Sequence, residues 1–293
     1  MFVKKIKCIC FLGLFFFLFG FKNTYALNVI TLAPNITQTI NQIITKAKKD
    51  HLDPKVEIIA TVHYQGEPKE ISQIASIGDA FHIQTEKLIL LKPDMVFIWQ
   101  GTTPQNVIET LKQFHIKIIQ INAKSLNDIP LMIEKIANAI NLSKTGKEMA
   151  LQFQLELKQI KSKIKIKENN KKTVFIQISA LPLYGIGGTG FINEMVSFCG
   201  GRNIFNSIKK EAFALSTESV MLKNPDIILI TKNQSTAYQL FNQSQWQKYP
   251  LLNAVKNKQI YTINSQIVSQ ATPNLIHGVQ ALCDVLNTSN ESK

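Results

Sequence analysis

Hydrophobic and polar positions along this chain follow two periods. Short β-branched runs at 29–32, 56–60, 95–99, 116–121, 173–178 and 259–263 read as buried strands. Segments with apolar spacing of three and four alternate with them. They predict helices at 105–114, 191–198 and 274–286, with Cys199-Gly200-Gly201 ending the second. Ala33-Pro34-Asn35-Ile36-Thr37 turns into a further helix, with Asn35 or Thr37 as its cap. Alternating strands and helices predict parallel sheets covered on both faces. Ligands then sit beyond the carboxyl ends of the strands.

Met149, Phe153, Leu157, Ile160 and Ile164 recur at steps of four, four, three and four. They give one apolar face to a single long helix over 144–168. On either side of it a ten-residue pattern occurs twice. Thr85-Glu86-Lys87-Leu88-Ile89-Leu90-Leu91-Lys92-Pro93-Asp94 precedes one β-branched run, and Thr217-Glu218-Ser219-Val220-Met221-Leu222-Lys223-Asn224-Pro225-Asp226 precedes another. Each copy reads as a short helix, a Pro-Asp turn and a buried strand, so the chain is expected to hold two similar lobes. The lobes span 27–143 and 169–293, and the long helix joins them. Glu86 and Glu218 fall at equivalent places near a helix start. A matched pair of outward carboxylates suits a two-fold symmetric partner.

The first 26 residues stand outside this pattern. Lys4, Lys5 and Lys7 precede a nearly continuous apolar stretch from Cys8 to Phe21, and Thr24-Tyr25-Ala26 supplies small residues for cleavage. This is the form of a secretory signal, with the mature chain starting at Leu27. The stretch is short of the roughly 20 residues that span a bilayer. A soluble exported protein of a Gram-negative periplasm is expected. The remaining 267 residues suffice for two modest cores and hold 29 basic and 20 acidic residues, a net charge of +9. No nucleic-acid motif or aromatic interleaving accompanies that charge, so nucleic acid is not expected as a partner. Cys199 and Cys283 remain after removal of the signal, either paired as a disulfide or as two buried thiols.

Catalytic patterns do not emerge. The Gly185–Gly190 segment lacks the frame and the Lys-Ser/Thr of a phosphate loop. His51, His63, His82, His115 and His277 show no metal-ligand spacing, and no metal or other cofactor is expected. The loops beyond the predicted strands carry aromatic area instead: Tyr64, Phe81, Trp99, Tyr184, Phe191 and Phe213. Aromatic rings in a cleft bury large apolar contact at little entropic cost.

Several stretches resemble periplasmic cobalamin-binding and iron–siderophore-binding proteins. They are Val29 to Thr37, Ile77-Gly78-Asp79 with Thr85-Glu86-Lys87-Leu88, Leu91 to Val96, Phe198 to Phe205, and Leu215 to Glu218. The resemblance covers nearly all of the mature chain and is closest to the vitamin B12-binding component of an ABC importer. It implies a class III, helical-backbone binding protein that is not an enzyme: two Rossmann-like α/β lobes with parallel sheets, a rigid connecting helix, and little closure. It implies a Cys199–Cys283 disulfide and docking of Glu86 and Glu218 on basic pockets of an ABC permease dimer with its ATPase. A monomer carrying a corrinoid as transported ligand is the expected form. Trp99 and Tyr184 match aromatic positions of that family, while two of its cleft aromatics fall on Ala80 and Ala212, next to Phe81 and Phe213. An acidic cleft position falls on Gln266. The expected ligand set is Tyr64, Phe81, Trp99, Tyr184, Phe213 and Gln266, with Thr102 as a further polar group. A ferric siderophore or haem is the alternative ligand, and an enzyme or chelatase on the same scaffold a third reading.

Overall fold

A computed structural model describes residues 25–64, 67–79, 82–164, 171–232 and 244–291. The signal segment up to residue 24 and Phe81 lie outside the described residues. The first lobe comprises β1 (Leu27–Thr31), α1 (Pro34–Lys49), β2 (Val56–Thr61), α2 (Lys69–Ser72), α3 (Thr85–Leu90), β3 (Met95–Trp99), α4 (Gln105–Gln113), β4 (Lys117–Ile121) and α5 (Asp128–Ala139). α6 (Ser143–Lys163) follows. The second lobe comprises β5 (Thr173–Ala180), β6 (Leu183–Ile186), α7 (Phe191–Phe198), β7 (Arg202–Asn203), β8 (Ala212–Ala214), α8 (Thr217–Lys223), β9 (Ile227–Lys232), α9 (Ser244–Gln247), α10 (Asn253–Lys256), β10 (Ile260–Asn264), α11 (Ser265–Val268) and α12 (Leu275–Glu291).

The first sheet has order β2-β1-β3-β4 and is parallel throughout. The second has order β10-β9-β5-β6-β8, with β7 also on β5. Its β10, β9, β5 and β7 are parallel, but β6 and β8 run antiparallel to their neighbours. An all-parallel second sheet is therefore corrected. Leu181-Pro182 reverses the chain directly after β5, and it returns as β6, which takes in Gly185 and Ile186 of the glycine segment while Gly187 to Gly190 remain a loop. α5 carried no expectation, and it buries Ile129, Met132, Ile133 and Ile136. α1 is capped at Ala33 with Pro at its first turn and no side-chain cap. Pro at that position has no amide to leave unpaired in the first turn. Thr37 turns inward instead.

The repeated pattern is a repeated structure. Met95 and Phe97 face the same core as Ile227 and Leu229, while Val96 and Ile98 face an outer core, as Ile228 and Ile230 do. Leu88 of α3 and Val220 of α8, both fully buried, close those outer cores. Lys92 (φ 46°) and Asn224 (φ 41°) turn the chain in left-handed conformations ahead of Pro93 and Pro225. Asp94 then accepts the Asn28 amide at 2.7 Å, and Asp226 accepts the Thr173 amide at 2.9 Å. Each carboxylate thus fastens its unit to the first strand of its own sheet, at the amino edge. α3 and α8 accordingly begin at the carboxyl edge.

α6 packs on α1 and α5 of the first lobe and on α12 of the second. One apolar core runs from Ile36, Ile40 and Ile133 through Phe153 and Ile160 to Val279 and Leu282. The helix has 21 residues, about 31 Å, and ends at Ile164 in extended backbone rather than continuing to 168. Gly146 permits the approach to α5: a Cβ there would lie 2.2 Å from that of Ala137. Cys199 and Cys283, both buried, form a disulfide between α7 and α12. An 84-residue loop closed this way restricts the unfolded chain and contributes about 2–4 kcal/mol.

Candidate functional site

The β1–α1 turn is held from below by three buried hydroxyls. Thr31 and Thr37 lie 2.6 Å apart, Thr37 and Thr61 2.8 Å, and Thr31 donates to Thr61 at 2.9 Å. This triangle fixes the start of α1 against the ends of β1 and β2, so Leu32 to Asn35 project into the space between the lobes. Beside them come Trp99 at the end of β3, Thr102 and Thr103 in the loop after it, and Ala123 and Lys124 after β4. The second lobe answers with Thr189, Gly190 and Phe191 at the start of α7, with Glu211 before β8, and with Ser269 to Ala271 after α11. Together they enclose a cleft of about 660 Å³. It lies at the carboxyl edges of β1, β3 and β4, where parallel sheets place ligands.

Both walls carry one large ring, Trp99 and Phe191. Lys124 and Glu211 are the ionisable residues among the described lining, one on each wall. Glu211 lies over Gly190, whose φ of 85° and open Cα face allow it: a Cβ would stand 2.8 Å from Glu211 Cγ. Among the described residues, hydrogen bonds cross between the lobes. Asn35 Nδ2 donates to the Ala271 carbonyl at 3.5 Å, and the Leu126 amide donates to Glu194 Oε2 at 2.9 Å. Tyr64 accepts from Gln38 Nε2 at 2.5 Å and stands beside Gln270 of the second lobe. Burial pushes the Tyr64 hydroxyl above its ordinary value, against the pull of Gln270 and Gln38. Burial likewise raises Glu194, opposed by the Leu126 bond and assisted by the charge of Asp128.

The expected ligand residues separate into groups. Trp99 and Thr102 line the cleft. Tyr64 stands behind Gln270, which lines it. Phe213 does not line it: its ring packs 5.3 Å from Phe205 in the outer core, with Phe175 and Trp246 beyond. Alternation along β8 turns that half-buried ring toward the outer core. Tyr184 is half-buried on β6 opposite Ser179 and Ala214, and Gln266 is the second residue of α11, its backbone amide donating to Asn264 Oδ1. Neither is among the cleft residues. His63 holds its ring against the chain, Nδ1 2.6 Å from Glu67 and Nε2 2.9 Å from the Ile74 carbonyl. Ile83, Lys124, Glu211 and Gln270 carried no expectation. All four line the cleft; Lys124 and Gln270 had a positional signal, lying beyond the carboxyl ends of β4 and β10.

Glu86 and Glu218 are the second residues of α3 and α8, both exposed. The Glu218 backbone amide and Ser216 hold the Glu218 carboxyl below its ordinary value.

A vitamin B12-binding protein of Vibrio parahaemolyticus serotype O3:K6 is 27% identical over 278 residues, 95% of this chain and 96% of the relative. Another from Pectobacterium carotovorum is 28% identical over 264 residues, 89% of this chain and 90% of the relative. BtuF, the periplasmic vitamin B12 binding protein of Vibrio cholerae, superposes with a TM-score of 0.73 at 24% identity, covering 90% of this chain and 98% of its own. The periplasmic heme-binding protein BhuT superposes at 0.77 with 15% identity and the same coverage. These two solved structures share the fold. The sequence profile of the periplasmic binding proteins matches residues 29–267, and this chain belongs to that family.

Proposed function

We propose that this protein captures cobalamin or a related corrinoid in the periplasm and delivers it to an inner-membrane ABC permease. In this reading it is a monomeric carrier rather than an enzyme, and residues 1–26 are removed on export. One observation carries the ligand class: a preformed cleft of about 660 Å³ with Trp99 and Phe191 on its walls. Two rings of this size suit a flat macrocycle, and affinity comes from apolar burial. The described lining contains no His, Cys or Met, and the Tyr64 hydroxyl is engaged by Gln38 and Gln270. His, Cys, Met and Tyr are the usual protein ligands of haem iron, whereas a corrinoid carries its own axial ligands. The curated relatives named for vitamin B12 point the same way. Haem-binding neighbours share only the fold. Trp99 and Thr102 are the expected ligand residues that stand on the cleft, with Tyr64 next to it. Tyr184, Gln266 and Phe81 have no such support. Glu86 and Glu218 would meet basic groups on the two permease subunits, which their matched positions support.

Calorimetric titration of the mature chain from Leu27 with cyanocobalamin, haemin and a ferric siderophore tests the ligand. Heat with cyanocobalamin alone is expected. Silence with cyanocobalamin and heat with haemin would overturn the corrinoid reading.

A further inference from the structure

Leu90 and Leu222 occupy the same place in the two copies of the repeat, 132 positions apart. Both are left in solvent, 79% and 87% exposed. Each sits four residues after its glutamate, Glu86 on α3 and Glu218 on α8. Residues four apart share one helix face. Leu88 and Val220, midway between, are fully buried, so the glutamate and the leucine both point away from the lobe. Both helices start on the carboxyl edge that carries the cleft. Single exposed leucines are ordinary on protein surfaces. Two at duplicated positions, each beside an exposed carboxylate, are not explained by folding: neither belongs to an apolar core, and the outer cores close without them.

We propose that Leu90 and Leu222 are the apolar halves of two equivalent docking knobs, each entering a pocket on one subunit of a two-fold symmetric partner. The partner's chemistry follows from the pair: on each subunit, an apolar depression with a basic group about one helical turn, about 5–6 Å, from it. The carboxylates steer and orient the approach, and the leucines supply the buried area that holds the complex. The inference rests on the permease reading given above and adds residues to it.

The test measures binding of the ligand-loaded protein to the cobalamin permease–ATPase complex of the same bacterium in nanodiscs. Four variants are compared: Leu90→Ser with Leu222→Ser, Leu90→Met with Leu222→Met, Glu86→Lys with Glu218→Lys, and Leu151→Ser. Leu151 is another exposed leucine, on α6 outside the repeat. Ligand affinity and melting temperature of the free protein serve as controls, since neither leucine touches the cleft. The serine pair is expected to bind at least about tenfold more weakly per leucine. The methionine pair and Leu151→Ser should bind as the parent. Undiminished binding of the serine pair, with loss in the lysine pair, overturns the role of the leucines and leaves the docking glutamates standing. Undiminished binding of both pairs overturns the docking reading as well. Equal weakening by Leu151→Ser, or equal capture by nanodiscs without permease, also overturns the inference.

Discussion

Glu194 shows how one side chain ties the lobes together and responds to acid. It is half-buried on α7 and accepts the Leu126 amide from the other lobe. Desolvation raises it from the usual 4.5, the Leu126 bond lowers it, and Asp128 raises it. An acid with a raised folded-state value binds its proton more tightly when folded. Its contribution to stability is complete below the unfolded value and declines as pH rises from about 4.5 through the folded value. Glu194→Gln keeps an acceptor for Leu126 and removes the titration. Urea midpoints between pH 4 and 7 should therefore fall less steeply with pH in the variant, which gains on the parent toward neutrality. Coincident profiles would refute this. Residues of this kind left little trace in the sequence. Glu194 owes its role to a contact with Leu126, 68 positions away in the chain. Trp99 was legible because it ends a strand, and the carboxyl end of a parallel strand locates a site before any contact is known.

At the level of elements, local chemistry was the legible part. The Pro-Asp turns, the left-handed residues before them and the β-branched runs after them are encoded within about ten residues, so both copies of the repeat stood out. The β6 strand was not legible, because Tyr184 to Ile186 pairs with residues on β5 and β8 and Gly185 weakens any strand signal. The packing of Phe213 on the outer core was not legible for the same reason: three residues of β8 are too few to show alternation. α6 shows what close packing demands of an element. Gly146→Ala would drive a methyl group into Ala137 on α5. Overpacking of this kind costs about 1–3 kcal/mol, more than the up to about 1 kcal/mol that alanine adds to helix propensity. A lower denaturation midpoint is expected, with recovery in the Gly146→Ala, Ala137→Gly double variant. Additive losses in the double variant would exclude this contact as the cause.

Across the whole molecule, the apolar core continues from the first lobe through α6 into α12 among the described residues. Sliding one lobe on the other would open that core, which is closely packed and therefore stiff. The radius of gyration from small-angle scattering is expected to change by less than about 1 Å when cyanocobalamin fills the cleft. A larger contraction would show a closing motion that the packing argues against. Within that rigid frame the two sheets differ, one of four parallel strands and the other mixed, yet the repeated helix–turn–strand unit is alike in both. With docking as proposed above, such a carrier would have no wrong way round: turned by half a revolution over a symmetric receptor it would offer an equivalent grip, and about twice as many collisions would arrive in a usable orientation.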